Sequence, residues 1–309
     1  MTSTPQARGT LAALSDDLAS AVERAGRAVV AIYARPRIPA SGVLWRPNVV
    51  VAADHTIRRE EGITVALADG RRVAATLAGR DPGTDLAVLK LDDDAGAGTP
   101  AELGGDDTLK AGHIVLALGR PGTDVTASLG LVSVSSGEWR TWRGGKIDRF
   151  IRLDITVYDG FSGGPLIDTG GPIVGINSSG LARGQPVTIP NVTVRRVVEQ
   201  LLTKGRVARG YVGLAMQPVR LPQELVSALG LPGRTGLMLL SVEANGPGAA
   251  AGVMLGDILV EFGGHAVQDP VDLLAALGPE SIGHAVRARV VRAGAVRNLD
   301  ITVRERGGR

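Results

Sequence analysis

The stretch Asp159-Gly160-Phe161-Ser162-Gly163-Gly164-Pro165-Leu166 lies near the middle of this 309-residue chain and places one serine among three glycines. Glycine lacks a Cβ, so it is favoured where backbone must approach another group with no side chain between them. Such surroundings are typical of a nucleophilic serine, but a serine hydroxyl by itself is a weak nucleophile. The hypothesis therefore depends on whether the chain also supplies a base, and a carboxylate to orient that base.

A candidate base and a candidate acid both lie upstream. His55 follows the apolar run 49–53, which is predicted to be a buried strand, and Asp85 lies in Thr84-Asp85-Leu86-Ala87-Val88-Leu89-Lys90. We predict that His55 accepts the proton of Ser162 and that Asp85 fixes the imidazole. The order His, Asp, Ser is that of the chymotrypsin arrangement, whereas other folds that carry the same three groups use other orders.

The composition indicates a β-rich protein with more than one core. Hydrophobic residues make up 44% of the chain but aromatic residues only 3%, so the core is predicted to be aliphatic. The 43 glycines and 17 prolines separate short valine-rich runs, a pattern that favours strands and turns. A chain of this length is expected to form two domains. The absence of cysteine excludes disulfides, zinc-thiolate sites and a cysteine nucleophile.

Three segments follow from the pattern along the chain: 1–27, 28–205 and 206–309. In the first, apolar residues recur at helical spacing and predict one amphipathic helix. The second contains many short strand signals separated by turns, which is typical of antiparallel barrels or sandwiches and not of alternating β-α units; it ends in a helix predicted over 192–204. The third begins where the composition changes and contains further strands and a helix over 269–277.

The chain resembles the HtrA (Deg) serine proteases over roughly residues 28–305. This resemblance implies a mostly β fold, with a trypsin-like double β-barrel over 28–205 followed by one PDZ domain, an α+β unit of five to six strands and two helices, over 206–309. It implies a serine endopeptidase that cleaves unfolded or extended polypeptides through an acyl-enzyme. The motifs that carry it are Asp69-Gly70-Arg71, the segment 84–90, Ser162-Gly163-Gly164-Pro165-Leu166, Val174-Gly175-Ile176-Asn177, Gly252-Val253 and Gly256-Asp257-Ile258-Leu259.

The same resemblance assigns the remaining parts of the protease site. The backbone N–H groups of Gly160 and Ser162 would form the oxyanion hole, and Ser178, Ser179 and Gly180 would line the substrate pocket. No acidic residue is evident near this pocket segment, so a small aliphatic residue is expected before the scissile bond. Neither a cofactor nor a metal is implied.

One residue departs from the family pattern beside the nucleophile. The family usually has Asn immediately before the serine, where this chain has Phe161. A bulky apolar side chain there would either be buried and hold the loop active, or favour a collapsed resting state, and the sequence leaves both outcomes open. The loops concerned are 156–161, which would form the oxyanion hole, and 138–148, which would act as a sensor.

In the third segment, Tyr211-Val212-Gly213-Leu214 looks like the carboxylate-binding loop of a PDZ domain. Such a loop receives the C-terminus of a peptide that adds a strand to an exposed sheet edge. The expected partners are therefore unfolded protein substrates and C-terminal peptides that regulate the protease. Relatives in the family also make a homotrimer possible.

Three competing hypotheses remain open at this stage. Gly160-Phe161-Ser162-Gly163-Gly164 also fits the nucleophile elbow of α/β-hydrolases, with Asp257 and His284 downstream, but that elbow requires a helix after the serine. The second hypothesis is that the aromatic and basic residues between 139 and 152 bind nucleic acid, but a solvated protease loop is favoured and no nucleic-acid partner is predicted. The third hypothesis is a catalytically silent, PDZ-directed scaffold or chaperone with a locked protease domain.

The N-terminal residues contain no apolar core of a signal peptide, and no run of 18 apolar residues would cross a bilayer. These observations predict no transmembrane segment and a cytoplasmic protein, with the periplasm as the alternative suggested by family habit. The formal net charge is +3, and the sequence contains no long basic tract.

Overall fold

The computed structural model describes residues 9–92, 98–105, 109–182 and 185–305. The chain forms two compact units, Met1–Val207 and Ala208–Arg309. In the part of the chain that is described, no helix is both long and apolar enough to cross a membrane.

The first half of unit 1 is a closed six-stranded barrel with the order β1-β2-β3-β6-β5-β4. All neighbouring strands in it are antiparallel. A helix, α1 (Thr10–Gly26), precedes this barrel. The strands are β1 (Val29–Tyr33), β2 (Ala40–Arg46), β3 (Val49–Ala53), β4 (Ile63–Ala66), β5 (Arg72–Asp81) and β6 (Leu86–Leu91).

The second half of unit 1 is another closed barrel, of order β11-β14-β13-β12-β7-β8, with the short strands β9 and β10 paired in a separate hairpin. Helix α2 (Asn191–Lys204) follows it and ends at Gly205, whose φ of +69° is the left-handed conformation that favours glycine. The strands are β7 (Ile114–Gly119), β8 (Thr126–Ser136), β9 (Trp139–Arg140), β10 (Lys146–Ile147), β11 (Phe150–Asp154), β12 (Pro165–Asp168), β13 (Ile173–Ala182) and β14 (Gln185–Pro190).

Strand alternation explains how each barrel fills its interior and also packs against the other. On β3, Val50 and Ala52 belong to the core of the first barrel, whereas Val51 belongs to a cluster that joins both barrels with α1 and α2. Val115 of β7 likewise faces the second barrel's core, while Leu116 faces the shared cluster. Since successive side chains of a strand point to opposite faces, strands that are apolar on both faces build two cores at once.

Unit 2 is a sheet of order β16-β17-β18-β20-β21, to which β19 is added beside β18, and a separate pair of β15 with β22. The strands are β15 (Gly210–Tyr211), β16 (Leu214–Arg220), β17 (Thr235–Val242), β18 (Ile258–Phe262), β19 (His265–Ala266), β20 (Ala285–Arg292), β21 (Ala295–Thr302) and β22 (Arg304–Glu305). The helices are α3 (Gln223–Leu229), α4 (Pro247–Ala250) and α5 (Pro270–Ala276).

The mostly β, double-barrel fold with a PDZ-like unit that the sequence predicted is confirmed, with differences in detail. Helix α5 begins after Asp269, which forms a capping box with Asp272. Helix α3 was not predicted, because seven residues with no fully buried side chain give little periodicity. Strand β14 was not predicted; it pairs with β11 and β13 and closes the barrel.

Candidate active site

His55 lies on a single 3₁₀ turn, Asp54–Thr56, that follows β3 directly. Arg80 holds this turn from β5: its guanidinium donates to Oδ1 of Asp54 at 2.5 Å and to the carbonyl oxygens of Asp54 and Ile57 at 3.3 Å each. Burial raises the pKa of the Asp54 carboxyl, although the hydrogen bond and the charge of Arg80 offset part of that rise. The planar guanidinium of Arg80 therefore fixes the turn that carries the imidazole, because its N–H groups bond several atoms of that turn at once.

Asp85 occupies the residue just before β6 with a φ of +57°, a left-handed conformation that is uncommon outside glycine. Its buried carboxylate accepts from the backbone N–H of His55 at 2.9 Å and lies 2.8 Å from Nδ1 of the same histidine. The Ser178 hydroxyl donates to Oδ2. A carboxylate with these three donors fixes both the position of the imidazole and its tautomer, with the proton on Nδ1 and Nε2 free to accept.

The hydroxyl of Ser162 is hydrogen-bonded to β13. Its Oγ lies 2.9 Å from Oγ of Ser179 and accepts from the Ser179 N–H at 3.3 Å. Among the described residues, no hydrogen bond joins Ser162 to His55. The serine hydroxyl is therefore engaged with β13 and not with the candidate base.

Two consecutive residues of β13 bring the serine and the histidine together. Ser179 contacts Ser162, whereas a Cβ added at Gly180 would lie 2.8 Å from Nδ1 of His55 and 3.1 Å from Oδ2 of Asp85. Adjacent Cα atoms are about 3.8 Å apart, so both groups border the same short piece of backbone. Ser178, Ser179 and Gly180, predicted to line the pocket, thus each contact one of the three candidate catalytic residues.

Gly160 and Gly163 explain the glycines around the serine. Both have positive φ, +92° and +89°. A Cβ at Gly163 would lie 2.8 Å from the N atom of Ala53, at the end of β3, and one at Gly160 would lie 2.8 Å from Cβ of Pro121. Backbone from the second barrel is therefore pressed against the segment that leads to His55, as glycine permits.

The backbone N–H groups of Gly160 and Ser162, the predicted oxyanion donors, have no protein acceptor within the described ranges. The carbonyl of Gly160, in contrast, is held by Ser41 of β2, whose N–H donates at 2.9 Å and whose hydroxyl donates at 2.6 Å. The Arg120 N–H in turn donates to the Ser41 hydroxyl at 2.8 Å. Both N–H groups are therefore available to an acceptor from outside the protein, and an oxyanion hole is built from donors of this kind.

Phe161 is fully buried, a point that the sequence left open. The ring belongs to the core of the second barrel, and exposed Tyr158 packs edge-on against it with ring centroids 5.4 Å apart. The hairpin of β9 and β10, in the predicted sensor loop, contacts the acid-bearing turn: the buried Thr141 hydroxyl donates to the carbonyl of Gly83 at 2.7 Å.

Several residues of this site escaped sequence reasoning. Nothing in their local sequence marks Ser41, Arg80 or Arg120, because each acts through a contact between distant strands. Arg120, for example, also donates from Nε to the carbonyl of Val29 at 2.7 Å.

The elbow hypothesis is wrong: a strand, β12, follows Ser162, and Asp257 is paired with Arg292. The described residues contain no cluster of three or more metal-ligating side chains.

In unit 2, the segment Tyr211-Val212-Gly213-Leu214 links β15 to β16, with Gly213 at a φ of +69°. Its carbonyls are used within the unit: that of Val212 accepts from Gly248 and that of Gly213 from Glu243, each at 2.9 Å. Strand β16 is an edge of the sheet, and α5 contacts it. An exposed sheet edge is where an added peptide strand can pair.

Comparison with protein families gives two matches in the order that the fold suggests. A trypsin-like peptidase domain matches residues 40–176, and a PDZ domain matches residues 210–303. The first match contains all three candidate catalytic residues.

Two curated relatives that match most of this chain carry the same name. A probable periplasmic serine endoprotease, DegP-like, from Brucella suis biovar 1 (strain 1330) is 34% identical over 278 residues, which cover 88% of this chain and 53% of the relative. A protein of the same name from Marinomonas sp. (strain MWYL1) is 34% identical over 271 residues, covering 85% and 56%. The chain thus spans about half the length of the curated relatives it matches.

Solved structures match the chain over nearly their full lengths. The HtrA-type protease AlgW with a tripeptide superposes with a TM-score of 0.72 at 30% identity, covering 94% of this chain and 98% of that one. The serine endoprotease from Yersinia pestis gives a TM-score of 0.73 at 29% identity with the same coverage. The similarity therefore extends across both units.

Proposed function

Because this chain belongs to the HtrA family of trypsin-like serine proteases with a PDZ domain, we propose that it is a serine endopeptidase whose nucleophile is Ser162. The observation that supports this most strongly is the contact of Ser162 and His55 with the neighbouring residues Ser179 and Gly180. That contact brings a hydroxyl and an imidazole, already held by a buried carboxylate, to one short segment of backbone.

In the proposed reaction the Ser162 hydroxyl rotates from Ser179 towards His55 and attacks a peptide carbonyl. His55 accepts the hydroxyl proton at Nε2, and Asp85 stabilises the imidazolium without itself becoming protonated. The N–H groups of Gly160 and Ser162 donate to the oxygen that becomes negative, and losing one such donor typically costs about 10²–10³ in turnover. His55 then protonates the leaving amine, and water, deprotonated by the same imidazole, hydrolyses the acyl-enzyme.

The substrates we propose are unfolded or extended polypeptides, with Ser178, Ser179 and Gly180 beside the cleft. C-terminal peptides would bind unit 2 at Tyr211-Val212-Gly213-Leu214 and add a strand to the edge of β16, thereby regulating cleavage. The relative AlgW has been solved with a tripeptide and with a decapeptide, which supports peptide binding in this family. We also propose that the boundary between the two domains lies at 205/206. The protein is further proposed to be a homotrimer, which light scattering at several concentrations tests.

A second candidate function is favoured by one specific observation: Ser162 is hydrogen-bonded to Ser179 and not to His55. A protein that stayed in this state would be catalytically silent and would act as a PDZ-directed scaffold or chaperone.

One assay separates the two functions. The protein is incubated with casein, with and without a series of C-terminal peptides, beside Ser162→Ala and the surface control Ser133→Ala. Cleavage that Ser162→Ala abolishes and Ser133→Ala retains supports the endopeptidase. No cleavage under any condition, with peptide binding retained, supports the scaffold, and cleavage by Ser162→Ala would contradict the choice of nucleophile.

For location we infer the periplasm, the alternative considered from the sequence, and abandon the cytoplasm, because the curated relatives are named periplasmic. Fractionation of the source cells, with a cytoplasmic marker enzyme as control, tests this placement.

A further inference from the structure

The side chain of Phe161, which precedes the proposed nucleophile, is tightly packed in the core of the second barrel. Phe161 has no exposed surface and packs in the cluster that includes Val115, Ala117 and Leu166. A Cβ added at Gly119, the last residue of β7, would lie 2.6 Å from Cδ1 of the ring. Gly119 is not among the residues with positive φ, so space and not backbone conformation explains the glycine there. The Phe161 ring therefore fits against the backbone of β7 because position 119 carries no side chain.

The next residue along the chain holds the other side of the same turn. The Arg120 N–H donates to the hydroxyl of Ser41, and that hydroxyl, together with the Ser41 N–H, donates to the carbonyl of Gly160. The end of β7 thus restrains the Gly160–Phe161 peptide unit twice: Gly119 contacts the ring that follows it, and Arg120 acts through Ser41 on its carbonyl oxygen. Rotation of this unit would break the two hydrogen bonds to the Gly160 carbonyl and the one from the Phe161 N–H to the Tyr158 carbonyl, and it would move an aromatic ring out of a packed core. All of these changes oppose rotation.

We propose that Phe161, seated on Gly119, is a positioning residue that keeps the Gly160–Ser162 turn in the conformation with two unpaired N–H groups before any substrate binds. This proposal rests on the proposed function, because the free donors matter for catalysis only if Ser162 attacks a carbonyl. Phe161 touches neither the substrate nor the reacting atoms; it acts through the turn.

The test uses variants that change each partner of this contact, Gly119 and Phe161. Gly119→Ala pushes against the ring, and we expect kcat on a short ester substrate to fall by about 10²-fold, as when one oxyanion donor is lost, with KM changed less than about threefold. Phe161→Leu removes the atoms that the new methyl group would meet. The double variant Gly119→Ala/Phe161→Leu is therefore expected to recover at least about tenfold in kcat over Gly119→Ala alone.

The matched control is Leu153→Ala, which removes buried volume from the same cluster on a different strand, β11. All variants are compared as fully folded protein, so that loss of stability does not enter kcat. If Leu153→Ala lowers kcat as much as Gly119→Ala does, or if the double variant recovers nothing, the positioning role is overturned.

Amide hydrogen exchange gives a readout that does not need activity. The N–H groups of Phe161, Gly164 and Ser41 are hydrogen-bonded within or to the turn. We expect Gly119→Ala to speed exchange at these three amides by at least about tenfold over Leu153→Ala, also in a Ser162→Ala background. Equal exchange in the two variants would overturn the proposal, whether or not the protein cleaves casein; absence of cleavage with the expected exchange would contradict only the proposed function.

Discussion

Ser179 Oγ lies 2.9 Å from Ser162 Oγ, so the proposed nucleophile is hydrogen-bonded to the strand beside the site and not to the proposed base. The strand that provides this partner also provides Ser178, whose hydroxyl donates to Asp85. One segment of β13 therefore contacts both ends of the proposed triad. The consequences of each contact can be measured separately.

Replacing Ser179 by Ala is expected to raise kcat about two- to tenfold. The substitution removes a hydrogen bond worth about 0.5–1.5 kcal/mol that competes with the approach of the Ser162 hydroxyl to His55. Steady-state kinetics on a peptide ester measure the effect. The control is Ser135→Ala, which removes a hydroxyl of the same barrel that bonds the Leu109 carbonyl. A fall in kcat would mean that Ser179 assists the nucleophile.

Gly180→Ala is expected to lower kcat about 10²-fold without lowering the yield of folded protein. The added methyl group would lie 2.8 Å from Nδ1 of His55 and so displace either the ring or the Asp85 carboxylate. A misplacement of about 1 Å in a catalytic group costs roughly this factor. Gly122→Ala, where a Cβ meets nothing within 4 Å, is the matched control. Turnover within twofold of the unmodified protein would show that this contact does not set the position of the base.

Arg80→Ala is expected to destabilise the chain by roughly 1.5–3 kcal/mol, because it leaves the Asp54 carboxylate buried without its main donor. Adding Asp54→Asn should recover part of this loss, since no buried charge then lacks a partner. Urea unfolding measures both changes. The control Arg71→Ala removes an exposed partner of Asp69 and should cost less than about 1 kcal/mol. Equal losses of stability in the Arg80 and Arg71 variants would contradict the conclusion that Arg80 fixes the turn that carries His55.

Unit 2 is expected to lose stability in acid through Asp257. Burial alone would raise the pKa of this carboxyl, but the hydrogen bonds from Arg292 and from the Met254 N–H, with the charge of Arg292, lower it below its ordinary value. A carboxyl whose pKa is lower in the folded than in the unfolded state adds stability at pH values above the unfolded pKa, about 3.9, and this stability disappears as the pH falls through the folded pKa.

Asp257→Asn tests this sign in the full chain. At pH 7 the variant should be less stable by roughly 1.5–3 kcal/mol in the unfolding of unit 2, and the difference should shrink below about pH 4. Asp300→Asn, which alters an exposed pair with Arg287 at 3.5 Å, is the control. A difference that stayed constant from pH 7 to pH 3 would mean that ionisation of Asp257 is irrelevant to stability.

Much of the fold could be predicted because its signals are local. The valine-rich runs, the turns between them and the helix over 192–204 depend on residues close in sequence, so most of the strands and this helix could be predicted. Helix α3 was missed because its seven residues give little periodicity, and strand β14, which pairs with β13 just before it and with β11, was also missed. The resemblance predicted that residues 178–180 line the substrate pocket, but it did not predict their individual contacts with Asp85, Ser162 and His55.

The sequence by itself determined which chemical groups are available: one serine among glycines, a histidine and an aspartate at the ends of apolar runs, and a second unit with a peptide-binding pattern. Only the tertiary structure decided that Phe161 is buried against Gly119, that Ser41 and Arg120 hold the Gly160 carbonyl, and that Ser162 pairs with Ser179. The physical reason is that residue type and spacing encode local preference, whereas hydrogen bonds and packing between strands distant in sequence exist only once both barrels have closed.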